Sequence, residues 1–366
     1  ARTGMGGAMS LTLEQHLATA EVVVCCGTGG VGKTTTAAAL GLRAAAMGRR
    51  AVVVTIDPAR RLADALGVPG GLGNDPVRLP LDPGTEGELW ALMLDTATTF
   101  DGLVRANAVD ETQAERILAN RFYRNVASSL SGTQEYMAAE RLHALHRDRR
   151  FDLVIVDTPP TRNALDFLEA PGTLARFLDH PLFRLLMVPT RRGLKVLNVA
   201  AQPVLRSIGR VVGGEVLADA IAFFQAFAGM ETGFRSRADD VLALLHSGVT
   251  RFVLVASPRS DTIDEAQYFA GRLAASGLTV GAVVVNRCTP DFGEPPARRP
   301  RKADLALLYD NLSALRRDAA TEREHAARLL AHRDLPDGVH TTWVPTLPGD
   351  VHTMDSLAAV SNHLFG

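Results

Sequence analysis

Consecutive apolar residues recur along the chain in short runs, such as AVVVTI at 51–56. Such runs are typical of parallel strands that are buried on both faces. Between them, apolar residues lie three or four positions apart, which is the spacing of amphipathic helices. Strands are predicted at 21–26, 51–56, 89–94, 151–157, 251–257, 279–286 and 341–345. The alternation predicts an α/β fold with a mostly parallel sheet wrapped by helices.

Two long helical blocks interrupt this alternation. Residues 96–147 and 163–246 are too long to be simple crossovers, so we predict that they form a helical insertion subdomain. The Gly/Pro-rich residues 68–88 are predicted to be a loop. The core is predicted at about 20–95, 151–162 and 250–366, within a single domain that spans residues 1–366.

The composition is that of an ordinary soluble globular protein, with 46% hydrophobic residues, 22% charged residues and a net charge of −1. Because the chain is nearly neutral, no nucleic-acid partner is expected. Three cysteines without a C-x-x-C motif predict neither a disulfide framework nor a zinc site, and they fit a reducing cytosol. The first nine residues lack the apolar segment of a signal peptide, so a cytoplasmic location is expected.

The segment EVVVCCGTGGVGKTT at 21–35 combines an apolar strand, a glycine cluster and the start of an alanine-rich helix. Gly27, Gly32, Lys33 and Thr34 fit the phosphate-binding pattern G-x-x-x-x-G-K-[ST]. The glycines let successive backbone N–H groups turn toward a phosphate, and the helix adds its positive dipole end. In this pattern the lysine can bridge the β- and γ-phosphates, and the threonine can ligate Mg²⁺.

The same glycines also satisfy the dinucleotide fingerprint G-x-G-x-x-G at Gly27, Gly29 and Gly32. Asp57 follows the next strand, near where a dinucleotide fold places its ribose contact. A dinucleotide turn has no use for a lysine and a threonine after the last glycine. We therefore favour a nucleoside triphosphate site over a dinucleotide site or a purely structural turn.

Asp57 and Asp157 each end a predicted strand, so both are expected at the carboxyl edge of the parallel sheet, where ligands bind. Either aspartate could simply cap the helix that follows it. After a phosphate loop, a strand-end aspartate such as Asp157 typically holds Mg²⁺, and Asp57 could orient the attacking water or accept its proton.

Several motifs together resemble the arsenite-pump-type ATPases, phosphate-loop NTPases with a deviant Walker A motif. That family includes the bacterial arsenical-pump ATPase and the eukaryotic tail-anchored-protein targeting ATPase. GTGGVGKTT at 27–35, TIDPARRLADALG at 55–67 and DTPPTRNALDFLEAP at 157–171 resemble its phosphate loop, switch I and switch II. VVVNR at 283–287 is similar to its adenine-binding strand end, and VPTLPGDVHTMDSL at 344–357 to its adenine-covering loop and last helix. More narrowly, the chain resembles an actinobacterial branch whose members occur as adjacent paralogous pairs.

The resemblance implies an ATPase that uses ATP and Mg²⁺, works as a dimer with ATP at the interface, and changes shape for a client. Asp57, Lys33 and Arg162 would be catalytic, and Thr34 and Asp157 would hold Mg²⁺. The residues implied in nucleotide binding are Gly29, Gly30, Val31, Gly32, Lys33, Thr34, Thr35, Asn286, Arg287, Pro348, Gly349 and Asp350. Since the chain has one phosphate loop, the partner is expected to be a second copy or a paralog of the same family.

Thr28 departs from the family pattern, in which the phosphate loop usually begins Gly-Lys-Gly-Gly and its first lysine reaches the partner's nucleotide. A neutral threonine cannot supply that charge to the transition state. Three interpretations stay open. The chain pairs with a paralog that keeps the lysine, which we favour; Arg162 replaces the lysine; or the chain binds ATP as a regulatory subunit with weak or no hydrolysis.

Residues 180–214 form a basic amphipathic segment that has six cations and no acidic residue. It could be a helical lid that packs on its own subdomain, a groove for an apolar client, or a contact with an anionic membrane surface. The last alternative would place the protein peripherally at the inner face of the membrane.

Overall fold

The computed structural model describes residues 11–57, 61–124, 133–159, 170 and 214–366. Arg162 and the basic segment at 180–214, apart from Gly214, lie outside these residues. In the described part, the strands are β1 (Val22–Cys26), β2 (Arg50–Thr55), β3 (Val77–Arg78), β4 (Glu88–Met93), β5 (Leu153–Asp157), β6 (Thr250–Ala256), β7 (Val280–Cys288) and β8 (His340–Pro345). The helices are α1 (Leu13–Thr19), α2 (Lys33–Ala46), α3 (Arg61–Ala65), α4 (Thr96–Asn107), α5 (Glu111–Leu118), α6 (Thr133–Arg147), α7 (Gly214–Phe227), α8 (Glu231–Leu245), α9 (Ser260–Ala275), α10 (Ala303–Leu330) and α11 (Met354–Phe365).

The eight strands form one sheet in the order β3-β4-β2-β5-β1-β6-β7-β8. All neighbours are parallel except β3, which pairs antiparallel with β4. The predicted mostly parallel sheet is therefore confirmed. The prediction that residues 68–88 form only a loop is wrong, because β3 lies within that range. A two-residue edge strand, exposed at both positions, has no apolar pattern to reveal it.

The central strands are buried because helices cover the sheet. Every residue of β1 and β5 is buried, which explains why their sequences are almost wholly apolar. Helix α2 packs closely on this sheet at Gly41, where a Cβ would lie 2.7 Å from Val53 Cγ2 and 2.8 Å from Leu89 Cδ1. Each fully buried valine or leucine contributes about 1.5–3 kcal/mol relative to an exposed one.

The parallel register of β1, β2 and β5 places the ends of these three strands side by side at one edge of the sheet. In the ladders, Asp157 of β5 is the partner of Cys25 in β1 and of Thr55 in β2. The glycine loop after β1 and the segment after β2 therefore leave the sheet beside Asp157. This edge is where a phosphate-loop fold binds its ligand.

The described residues fall into two compact units. The first unit consists of the described residues within 1–93, 145–165 and 246–366, and it contains the whole sheet. The second takes them from 94–144 and 166–245, and none of its described residues lies in a strand. Its apolar core includes Phe223, Phe227 and Phe234, with the rings of Phe227 and Phe234 4.8 Å apart between centroids.

Within the described ranges of both units, no helix is long and apolar enough to cross a membrane.

Candidate functional site

The loop between β1 and α2 depends on glycine at two positions. Gly27 has a φ of 147°, and a Cβ there would lie 2.1 Å from the carbonyl oxygen of Val255. Gly32 has a φ of 94°, and a Cβ there would lie 2.2 Å from Asn286 Nδ2. A side chain at either position would be both strained and obstructed. These glycines give the loop its shape, and they let it pack directly against β6 and β7.

Lys33 is the first residue of α2 and is 5% exposed. Its Nζ donates a hydrogen bond of 2.8 Å to the carbonyl oxygen of Thr28, inside the same loop. Burial lowers the pKa of the Lys33 ammonium, and the negative charge of Asp157 opposes that shift. A cation and the N-terminus of α2, whose first N–H groups have no acceptor within the helix, thus meet at one place, which favours a bound anion.

Asp157 is the most deeply buried acidic residue of this site, with 0% exposure. Its Oδ2 accepts hydrogen bonds from Thr34 Oγ1 and from Thr55 Oγ1, both at 2.8 Å. Its Oδ1 is buried and has no hydrogen-bond partner in the described part of the chain. Burial raises the pKa of Asp157 to about 6, although the hydrogen bonds from Thr34 and Thr55 act in the opposite direction.

An unsatisfied buried carboxylate oxygen beside a threonine hydroxyl fits a hard divalent cation. Mg²⁺ prefers oxygen ligands and is usually bound by one or two protein oxygens together with substrate phosphates. A buried carboxylate whose charge is costly also gains most from a nearby cation. Thr34 and Asp157, the two predicted metal ligands, are therefore adjacent and chemically suited to Mg²⁺.

Asp57, predicted to act on the attacking water, lies just beyond the end of β2 and is 7% exposed. Its backbone N–H donates to Thr55 Oγ1 at 3.2 Å, so the Thr55 hydroxyl contacts both aspartates. Arg61 Nη1 lies 3.2 Å from Asp57 Oδ2. Sequence reasoning missed Thr55 and Arg61.

Asn286 and Arg287, the predicted adenine-side residues, lie at the end of β7 next to the loop. Asn286 Nδ2 donates to the carbonyl oxygen of Val31 at 2.7 Å. Arg287 has a φ of 63°, the one non-glycine residue with positive φ in the described part of the chain. The register of β7 against β8 shifts between Asn286 and Cys288, so Arg287 lies in this irregularity. Strained backbone of this kind is concentrated at functional sites.

These residues surround a cavity of about 590 Å³, a volume typical of small-molecule sites. The predicted residues that line it are Gly30, Gly32, Lys33, Thr34, Thr35, Asp57, Asn286, Arg287, Gly349 and Asp350. Lining residues that sequence reasoning did not single out include Arg61, Asp64, Thr158, His352 and Val360.

The other predicted residues have different positions. Asp157 contacts the cavity through Thr34, which lines it. Val31 is buried in the apolar core, and Gly29 and Pro348 are exposed; none of the three lines the cavity.

A family model for anion-transporting ATPases matches residues 20–303. The chain belongs to the anion-transporting ATPase family. This confirms the family that the motifs predicted. The matched range contains the glycine loop, both aspartates and Asn286, whereas the cavity wall at 344–352 lies beyond it.

Three relatives illustrate how far this member has diverged within the family. The putative arsenical pump-driving ATPase 1 of Aquifex aeolicus is 23% identical over 275 residues, which are 74% of this chain and 64% of that protein. The uncharacterized protein SCO2128 of Streptomyces coelicolor is 31% identical over 272 residues, which are 74% of this chain and 63% of that protein. The ATPase get3 of Schizosaccharomyces japonicus is 24% identical over 339 residues, which are 92% of this chain and 90% of that protein. The chain thus spans slightly less than two thirds of the first two relatives.

Proposed function

We propose that this chain binds Mg·ATP in the cavity beside the glycine loop and hydrolyses it to ADP and phosphate. The observation that carries the proposal is the Thr34–Asp157 pair, whose carboxylate keeps one buried oxygen without a partner in the described residues. This pair adjoins the buried ammonium of Lys33 at the N-terminus of α2. A metal-suited oxygen pair and a phosphate-suited cation at one site favour a metal-bound triphosphate.

Each residue has one role in this proposal. The backbone N–H groups after Gly30, together with Lys33, bind the phosphates, and Thr34 and Asp157 hold the metal. Magnesium, when bound, neutralises charge on the phosphate oxygens. Asp57 orients a water molecule whose oxygen bonds to the terminal phosphorus as the bridging P–O bond to ADP breaks. One proton of the water passes to the Asp57 carboxylate or to an oxygen of the transferred phosphate.

We further propose that the protein works as a dimer with ATP at the interface and couples hydrolysis to a change of shape for a client. The partner is either a second copy or a paralog that supplies the lysine missing at Thr28. Support comes from the resemblance to the arsenical pump-driving ATPase and to ATPase get3. The basic segment at 180–214 is the proposed contact with an apolar client or an anionic membrane surface. We propose that the protein is cytoplasmic.

A second candidate function is that of an ATP-binding regulatory subunit with weak or no hydrolysis. The observation that favours it is Thr28, a neutral residue at the loop position where the family usually has a cation. Loss of one transition-state cation typically costs two or more orders of magnitude in turnover. Such a subunit would retain Mg·ATP binding but would need its paralog for catalysis.

Calorimetric titration with Mg·ATP, followed by single-turnover hydrolysis, tests both candidates. We expect the wild-type chain to bind Mg·ATP, and Lys33→Ala to weaken binding by about 100-fold because it removes a buried phosphate ligand. Lys302→Ala is the matched control, since Lys302 is an exposed lysine outside the cavity. Asp57→Asn should bind normally and lose most of its turnover, with a residual single-turnover rate that can be measured.

The outcomes separate the alternatives. Robust turnover by the purified chain removes the need for a paralog, and binding without turnover selects the regulatory subunit. Absence of Mg·ATP uptake, together with no effect of Lys33→Ala, overturns the proposed function.

A further inference from the structure

Arg61 is a positively charged residue that lines the cavity, and the proposed reaction gives it no role. It is the first residue of α3 and lines the cavity together with Lys33 and Asp57. Its guanidinium lies 3.2 Å from Asp57 Oδ2, through Nη1. The contact joins a side chain that is 58% exposed to a carboxylate side chain that is 9% exposed.

This asymmetry distinguishes the pair from an ordinary surface ion pair. Exposed pairs contribute little because both side chains move freely in water, and the median contribution is about 0–1 kcal/mol. Here the carboxylate is held on a nearly buried wall, since the Asp57 backbone is tied to Thr55. Arg61 contacts one of the two carboxylate oxygens of Asp57.

Position in the chain makes this contact local and short. Asp57 and Arg61 are four residues apart in the chain, so the contact is local in sequence. A guanidinium also offers several donors in one plane, so it can hold a carboxylate in a defined orientation better than an ammonium can. The Arg61 contact therefore restricts the group that has to meet the attacking water.

We propose that Arg61 is a positioning residue for Asp57, holding its carboxylate in the orientation in which it receives and aligns the attacking water. The inference rests on the proposed ATP hydrolysis and adds a residue to it. It predicts that Arg61 acts on the chemical step and not on uptake of the nucleotide. Misplacing a reactive group by a small distance slows the reaction without preventing binding.

The test is a double-mutant cycle on the full chain with Mg·ATP. Arg61→Ala should lower kcat about tenfold and change KM less than threefold. Arg61→Lys should recover part of the loss. In an Asp57→Ala background, Arg61→Ala should have no further effect on single-turnover rates, because the residue that it positions is gone.

Arg78→Ala is the matched control. Arg78 is 60% exposed and its Nη2 lies 2.9 Å from Glu88 Oε1, so it has nearly the same exposure and the same kind of ion pair outside the cavity. We expect its kcat and KM to equal those of the wild type. Thermal melts of all variants establish that each is folded.

The possible results separate the inference from the function on which it rests. A wild-type chain that takes up no Mg·ATP overturns the proposed function and this inference together. Uptake without turnover also overturns the inference, since Asp57 then aligns no reacting water. An active wild type whose Arg61→Ala variant keeps its kcat, raises KM alone, or loses as much again in the Asp57→Ala background overturns the inference and leaves ATP hydrolysis standing.

Discussion

The hydroxyl of Thr55 joins the two aspartates of the site, and its removal is a sharp test of the site geometry. Thr55 is 1% exposed, donates to Asp157 Oδ2 at 2.8 Å, and accepts from the Asp57 N–H at 3.2 Å. Thr55→Val preserves the shape of the side chain and removes both hydrogen bonds. Asp157 Oδ2 then keeps only its bond from Thr34 among the contacts described here.

The expected cost follows from the two bonds. A hydrogen bond to a charged group is worth about 1.5–3 kcal/mol, and a neutral one about 0.5–1.5 kcal/mol. The added methyl group of valine recovers about 0.8 kcal/mol if it packs well. The free energy of unfolding should therefore fall by roughly 1–4 kcal/mol. Mg·ATP affinity should fall about tenfold, because the proposed metal ligand Asp157 loses part of its support.

Urea denaturation followed by circular dichroism, together with calorimetric titration of Mg·ATP, measures both effects. Thr55→Ser is the control, since it keeps the hydroxyl and loses only a methyl group. Its Mg·ATP affinity should stay close to that of the wild type. If Thr55→Val matches the wild type in both stability and affinity, the hydroxyl does not hold the two aspartates and the reasoning is refuted.

Three further predictions concern protonation, backbone conformation and thiol reactivity. Burial raises the pKa of Asp157 from 3.8 to about 6, so the folded chain keeps this proton longer than the unfolded chain. The stability of the metal-free wild type relative to Asp157→Asn should therefore fall by roughly 2 kcal/mol between pH 4 and pH 7, as measured by urea denaturation with a chelator; a pH-independent difference contradicts this. Gly32→Ala should abolish measurable Mg·ATP binding, because the added Cβ would collide with Asn286. At Gly30 an added Cβ meets no atom within 4 Å, so Gly30→Ala should cost only about 1 kcal/mol of backbone strain. Equal binding defects in the two variants would show that the contact between position 32 and Asn286 is irrelevant. Burial, with the nearby Glu322 carboxylate, raises the pKa of the Cys288 thiol to about 12. Iodoacetamide at pH 8 should therefore label Cys288 about 100-fold more slowly, or slower still, in the folded chain than in the chain unfolded by urea. Equal labelling rates in the two states would contradict this prediction.

Most of the sheet was predictable because buried parallel strands carry a local signal. The apolar runs at 51–56 and 151–157 correspond to β2 and β5, with ends that differ by no more than two residues. The fold class followed from their alternation with helices. Strand β3 escaped prediction because its two residues depend on pairing with β4 and not on their own pattern.

Residues of the candidate site were predictable where a residue type coincides with the end of a strand, as for Asp57 and Asp157, or with the start of a helix after a glycine loop, as for Lys33. Contacts between residues far apart in the chain could not be predicted from the sequence, because they depend on the register of the paired strands. Thr55 meets Asp157 only because β2 and β5 pair in one particular alignment. Arg162 and the membrane or client contact at 180–214 stay predictions, since those residues lie outside the part of the chain that the structure describes apart from Gly214.

If the cavity binds ATP as proposed, the hydrogen bond from Lys33 to the Thr28 carbonyl affects how fast the nucleotide exchanges. The Lys33 amine has an oxygen partner in its own loop, so a phosphate that bound it would replace one oxygen by another and would not quench an isolated charge. The loop keeps its folded shape meanwhile, and ligand capture requires little ordering of the chain. Association should then be limited by diffusion into the cleft, and residence time by how readily the amine returns to its own carbonyl.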